Sequence, residues 1–266
     1  MSTGRTILGL VGSPRTSGLT NQLVSSALEG AAKTGSSTEL VQMSEYVVEA
    51  CKDCLPWVCA DNLKCTYEDA NLEVLSEKIL RCDGLVLGTP VYWGDTTAMV
   101  RLLILKIFRI YAMTRPLMGL PAYGIAIAGG TGNGLVSGLR PLYHFFRTMW
   151  MRAIEPLPVT RFDLKQANLR ARESGYNLAR MAREPFKTRD DRDFWYDNLP
   201  YLRDSNAQER RLLAAVAYQR VSEEGKVALQ GDWAEADILN ASGRTLESMI
   251  EISKIYDSSD KYISRG

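Results

Sequence analysis

The chain has 266 residues, 45% of them hydrophobic, which is enough for one good core and an appendage. Its formal net charge is +1, with lysines and arginines spread along the sequence, so no basic stripe points to nucleic acid or an anionic membrane as a partner. The longest apolar stretch, MVRLLILKIFRIYAM, carries Arg101, Lys106 and Arg109 and so cannot span a bilayer, while the apolar run in the opening MSTGRTILGLVGSPR is too short and broken for a signal peptide. A cytoplasmic protein is expected, with its odd count of five cysteines kept reduced.

Apolar runs punctuated by Gly and Pro alternate with helical periodicity. RTILGLVG reads as a buried strand, and Leu23, Val24, Ala27, Leu28 and Ala31 then mark one helix face ending near Gly35. STELVQM is a second strand, DGLVLGTP a third, AYGIAIAGG a fourth and AIEPLPVT a short fifth, with helices at roughly 68–81, 96–112, 135–150 and 167–184. Strands that are apolar throughout and alternate with helices predict a parallel sheet covered on both faces. After about residue 185 the pattern turns helical, with charges of both signs and Phe194, Trp195, Tyr196 and Tyr201. Ser205 and Gln208 suggest a capping box opening a helix to about 224, and Leu246, Met249, Ile250, Ser253 and Tyr256 mark a closing helix. Residues 185–266 are expected to extend the first domain, because they are too few to bury much core alone.

In open parallel sheets, ligands sit beyond the C-terminal strand ends. Three such ends here carry unusual loops. GSPRTSGLT offers the hydroxyls of Ser13, Ser17 and Thr20, the Arg15 guanidinium and backbone N–H groups near Gly18, all at a helix N-terminus suited to phosphate; an ordinary capped turn is the alternative. Leu19 stands where a Walker lysine would be. GTPVYWGDTT presents Pro90, Val91, Tyr92, Trp93 and Gly94 to a planar heterocycle, although aromatics alone are more often core. AGGTGNG, with Gly129 and Gly130, is too glycine-rich to serve packing. Together the three loops suit a mononucleotide with a flat ring.

In order and spacing, GSPRTSGLT, GTPVYWG and AGGTGNG…LYHFF resemble the FMN-binding loops of the NADPH-dependent FMN reductase family, and within it the iron–sulfur flavoprotein branch, over roughly residues 5–184. The resemblance implies a flavodoxin-like α/β fold, a five-stranded parallel sheet of order 2-1-3-4-5, here with a C-terminal helical extension. It implies FMN phosphate held by Ser13, Arg15, Ser17 and Thr20 within the 13–20 loop, and the isoalloxazine flanked by Pro90–Gly94 on one side and by Gly129 and Gly130 on the other. The chain departs from the family in Leu19, where an Asn is common, and in Leu105 and Lys106, which replace an Asp-Arg pair.

The same branch carries a compact cysteine motif after strand two, with spacings x2, x2 and a longer last gap. Cys51, Cys54, Cys59 and Cys65 are spaced x2, x4, x5, with Pro56 and Trp57 in the widened gap. Four thiolates match the ligand count of a [4Fe–4S] cluster. Zinc also takes four thiolates, but usually as two C-x-x-C knuckles set further apart, and a third reading leaves the cysteines without metal. Cys82 reads as a small buried hydrophobe, and the single histidine, His144, forms no catalytic constellation.

The expected function is therefore an FMN-dependent oxidoreductase that passes electrons between a [4Fe–4S] cluster and FMN. The donor would be reduced nicotinamide or a ferredoxin-type protein, and the acceptor a small organic molecule, a quinone or oxygen. The alternatives are an electron carrier between protein partners and a plain NAD(P)H:FMN reductase without a cluster. The unbroken Leu102, Leu103, Ile104 and Leu105 predict a homodimer or homotetramer. The expected organisation is an FMN-binding domain at 1–184, with the cysteine loop at 51–65, and an extension at 185–266 that shapes access to the flavin.

Overall fold

A computed structural model describes residues 4–52, 54, 58–129, 134–160, 163–203, 205–218, 221–259 and 261–262. The chain divides into two compact units, Met1–Phe186 and Lys187–Gly266. In the first, strands β1 (Thr6–Val11), β2 (Ser37–Gln42), β3 (Gly84–Pro90) and β4 (Pro121–Ala128) alternate with helices α1 (Leu19–Ala32), α2 (Val58–Asn62), α3 (Ala70–Arg81) and α4 (Ala98–Tyr111). They are followed by α5 (Leu135–Thr148), β5 (Arg152–Ala153), β6 (Leu157–Thr160) and α6 (Leu164–Arg180). All the pairings are parallel and the order is 2-1-3-4-5, the flavodoxin-like topology.

The near-continuous apolar runs of β1, β3 and β4 are explained by burial on both faces, whereas the edge strand β2 is exposed over most of its length. Ile7, Val11, Val86, Ile125 and Ile127 pack under α1 and α6. Those two helices approach so closely that a Cβ on Gly30 would fall 1.8 Å from the Arg172 carbonyl oxygen, and one on Gly175 would fall 1.9 Å from that of Ala27. On the opposite face, α5 lies over Ala126 through Gly138, with α4 beside it.

The fifth sheet position is not the single strand expected from AIEPLPVT. Both β5 and β6 pair with β4, at Ala122↔Ala153 and from Ile125↔Leu157 to Ala128↔Thr160, and Pro156 falls in the break between them. Proline has no N–H for the ladder. The buried Tyr143 closes the gap, its hydroxyl donating to the Ile154 carbonyl (2.9 Å) and accepting from Gly124 N (3.2 Å).

The second unit contains α7 (Arg189–Asp197), α8 (Ser205–Tyr218), α9 (Glu223–Ala241) and α10 (Thr245–Ser259). Ala214, Val221, Leu229, Ala236, Ile252 and Ile255 form its apolar cluster. Arg210 is buried and paired with Asp193 (2.5 Å) and Asp190. Helix α7, not expected from the sequence, buries the charged Arg192, Asp193 and Asp197, and a capping box between Thr188 and Asp191 starts it. The helix expected to reach 224 ends at Tyr218, and Ser222 caps the separate α9 by accepting from Gly225 N (3.2 Å). The suggested capping side chains of Ser205 and Gln208 lie outside the described residues.

Candidate functional site

The loop between β1 and α1 is built to leave helix amides available. Gly18 occupies the N-cap and supplies no side-chain acceptor, and the first turn of α1 holds no acidic residue. The positive end of the helix dipole is therefore uncompensated by the chain itself. Ser13 is buried and its Oγ accepts from Arg15 N (3.2 Å), while Gln42, at the end of β2, donates to the Ser13 carbonyl and fixes the loop from the neighbouring strand. Arg15 and Ser17 are exposed, Gly18 and Leu19 lie at the surface, and Thr20 is buried at the first turn.

The loop after β3 closes a tight turn. Tyr92 N donates to Asp95 O (2.8 Å) and Asp95 N to Tyr92 O (3.0 Å), around Trp93 at φ 54° and Gly94 at φ 71°. Two consecutive left-handed residues match a type I′ turn, which favours Asn-Gly and makes tryptophan an outlier costing about 1–3 kcal/mol. The Trp93 side chain is 103% exposed, so no packing within the chain offsets that strain. Arg101 anchors the turn by donating to both Asp95 carboxylate oxygens (2.9 and 2.7 Å).

Three strand ends meet here through residues that the sequence did not single out. Thr97 Oγ1 donates to the Gly12 carbonyl (2.8 Å), Thr96 Oγ1 to Thr89 Oγ1 (2.7 Å), and Thr97 N to Thr89 Oγ1 (3.3 Å), tying the first loop to the second. Val91 N donates to the Ile127 carbonyl (2.8 Å), which draws in β4. Gly134, at φ 86°, opens α5 against Gly94: a Cβ there would lie 2.8 Å from Gly94 Cα and 2.9 Å from Val91 Cγ1. Gly129 is exposed, with open space where a side chain would stand; Gly130 and residues 131–133 lie outside the described residues. An open helix N-terminus, an exposed aromatic turn and the glycines Gly129 and Gly134 thus share one end of the sheet.

All four clustered cysteines line a single cavity of about 260 Å³, together with Glu49, Lys52, Glu68, Lys106 and Arg109. None forms a disulfide. Helix α2 carries Cys59 towards α4, where its Sγ donates to the Arg109 carbonyl (3.5 Å), and Arg109 Nη2 donates to the Cys54 carbonyl (3.2 Å). Left-handed Leu63 (φ 52°) ends α2 and turns the chain towards Cys65. Among the described residues no three metal-ligating side chains crowd around one point as a mononuclear zinc site requires. Four free thiols lining one cavity match the ligand count of a four-iron cluster, in which each thiolate binds its own iron.

The cavity wall holds a feature absent from the sequence reading. Lys106 Nζ lies 2.6 Å from Asp69 Oδ2, with the two side chains 4% and 2% exposed. Burial pulls the Asp69 carboxyl upward, but the bonds from Lys106 and from the Leu72 and Glu49 amides outweigh it and hold its pKa below the ordinary carboxylate value. Lys106 is one of three basic residues on a largely apolar helix, and its partner could not be read from spacing. Cys82 is different in kind: buried at the end of α3, its thiol is pushed up to about 12 by desolvation and donates to the Ile79 carbonyl (3.3 Å).

The NADPH-dependent FMN reductase family model matches residues 5–157. An iron–sulfur flavoprotein of Methanocaldococcus jannaschii is 30% identical over 142 residues, covering 53% of this chain and 70% of that protein. A second one from the same organism is 28% identical over 141 residues, with coverage of 53% and 70%. Among solved structures, an NAD(P)H:quinone oxidoreductase from Methanothermobacter marburgensis superposes with a TM-score of 0.52 at 15% identity, over 66% of this chain and 100% of that one, a likeness of fold. The chain accordingly belongs to the NADPH-dependent FMN reductase family, in its iron–sulfur flavoprotein branch, and is an FMN-dependent oxidoreductase.

Proposed function

We propose that the first unit binds FMN at the three strand-end loops, holds a [4Fe–4S] cluster with Cys51, Cys54, Cys59 and Cys65, and reduces a small organic acceptor, a quinone or oxygen. The single observation that carries the cluster is that four free thiols line one cavity in a chain of the iron–sulfur flavoprotein branch. FMN exchanges one or two electrons and a cluster one, so the pair would link one-electron and two-electron partners.

The protein's part is binding and electrostatics. The open amides of α1, the Ser13, Ser17 and Thr20 hydroxyls and the Arg15 guanidinium would bind the phosphate; Gly18 and Leu19 would contribute backbone. Pro90, Val91, Tyr92, Trp93 and Gly94 would face one side of the ring, and Gly129 and Gly130 the other. With Trp93 held outward by a strained turn, the ring would supply the contact that the aromatic lacks within the chain. The donor would be a reduced nicotinamide or a ferredoxin-type protein.

Anaerobic purification, an absorption spectrum and counts of iron and FMN test this reading. About four irons and one flavin per chain are expected. Flavin without iron would leave an FMN reductase lacking a cluster, and stoichiometric zinc would refute the electron relay.

A further inference from the structure

The cysteine segment is fastened at both of its ends. Asp69 Oδ2 accepts from Glu49 N (3.1 Å), two residues before Cys51, while Asp69 Oδ1 accepts from Leu72 N (3.0 Å), capping the helix that follows Cys65. Lys106, from the middle of α4, closes on the same carboxylate. Two further ties run parallel: Asn71 Nδ2 donates to the Val47 carbonyl (2.9 Å), and Lys52 Nζ stands 4.4 Å from the Tyr67 ring centre. One buried carboxylate thus gathers the start of the segment, its end and α4 at a single point.

Lys106 lines the cysteine cavity, whereas Asp69 is not among its lining residues. Lys52, Arg109, Glu49 and Glu68 line the same cavity. A group held by four thiolates is anionic and becomes more so on reduction, and a fixed ammonium beside it favours the more negative form.

We infer that Asp69 and Lys106 form a positioning clasp that keeps the cysteine segment closed around its cavity without metal, and that Lys106 raises the reduction potential of the group the thiols hold. The second half rests on the cluster reading above; the first does not.

The clasp is tested on metal-free full-length protein, prepared by anaerobic chelation and treated with iodoacetamide under native conditions. Cys59 is the reporter because it is buried, so its modification requires local opening. Lys106→Met and Asp69→Asn should each accelerate Cys59 modification about tenfold or more, with the buried Cys82 as the control for global unfolding. If Lys106→Met does not fold, Asp69→Asn, which keeps the side-chain shape, decides alone. Cys59 modified no faster than in wild type overturns the clasp. The charge is tested on iron-reconstituted protein by a potentiometric titration followed by electron paramagnetic resonance. Lys106→Met should shift the cluster to more negative potential by about 59 mV, a tenfold change in a one-electron equilibrium, and Lys106→Arg should restore it. An unshifted potential in Lys106→Met overturns the electrostatic role, since a merely structural lysine would alter occupancy and not potential. Should wild type take up no iron, the cluster reading and the electrostatic half fall together, and Cys59 reactivity still decides the clasp.

Discussion

The ammonium of Lys106 and the carboxylate of Asp69 meet at 2.6 Å, almost wholly out of water, across 37 residues of sequence. Removing one partner strands the other as a buried charge. Lys106→Ala is therefore expected to destabilise the first unit by about 3–5 kcal/mol, read from urea unfolding of the metal-free protein. A loss under about 1 kcal/mol would place this pair with the weak surface ion pairs.

The same pair sets an acid limit. The folded Asp69 carboxyl titrates below its ordinary value of 3.8, so the stability it contributes is fully present above that pH and is lost as pH falls through the lower folded value. The urea midpoint of wild type relative to Asp69→Asn should be flat down to about pH 5 and narrow below about pH 4. A gap that stays constant to pH 3 would mean that Asp69 is not the group titrating.

Arg15 is exposed in the loop that leads into α1, where the FMN phosphate is proposed to bind. Arg15→Ala should weaken FMN binding by about 1.5–3 kcal/mol, at least tenfold by fluorescence titration. Unchanged affinity would move the phosphate elsewhere.

Trp93 offers a cleaner separation of folding from binding. Its side chain is fully exposed and its φ of 54° is one that asparagine tolerates better. Trp93→Asn should leave the melting temperature of flavin-free protein unchanged or raised, while FMN affinity falls. A drop in melting temperature with intact affinity would reverse the assignment.

Leu105 stays 43% exposed on α4, whereas its neighbours Ile104 and Lys106 are buried. If α4 carries the proposed subunit contact, wild type should be a dimer or tetramer by light scattering at about micromolar concentration, and Leu105→Glu should shift it to monomer. A monomeric wild type would remove the interface.

Much of this protein was legible before any coordinates. The runs RTILGLVG, DGLVLGTP and AYGIAIAGG identify β1, β3 and β4 because a strand buried on both faces must be apolar at every position, and burial of that kind is written locally. The three strand-end loops and the cysteine spacing were visible for the same reason: each is one contiguous segment. What the tertiary structure decided involves partners distant in sequence. AIEPLPVT reads as one short strand, and only Tyr143, reaching back from α5, shows how the split fifth position is held. Gly134 reads as one more loop glycine until Gly94 is found against it, leaving no room for a Cβ. Lys106 looks like one of three basic residues on α4 until Asp69 is placed beside it. Periodicity reports which face of an element is buried, because that depends on neighbours three or four residues away; it carries no record of which buried charge, hydroxyl or glycine will be met across the fold.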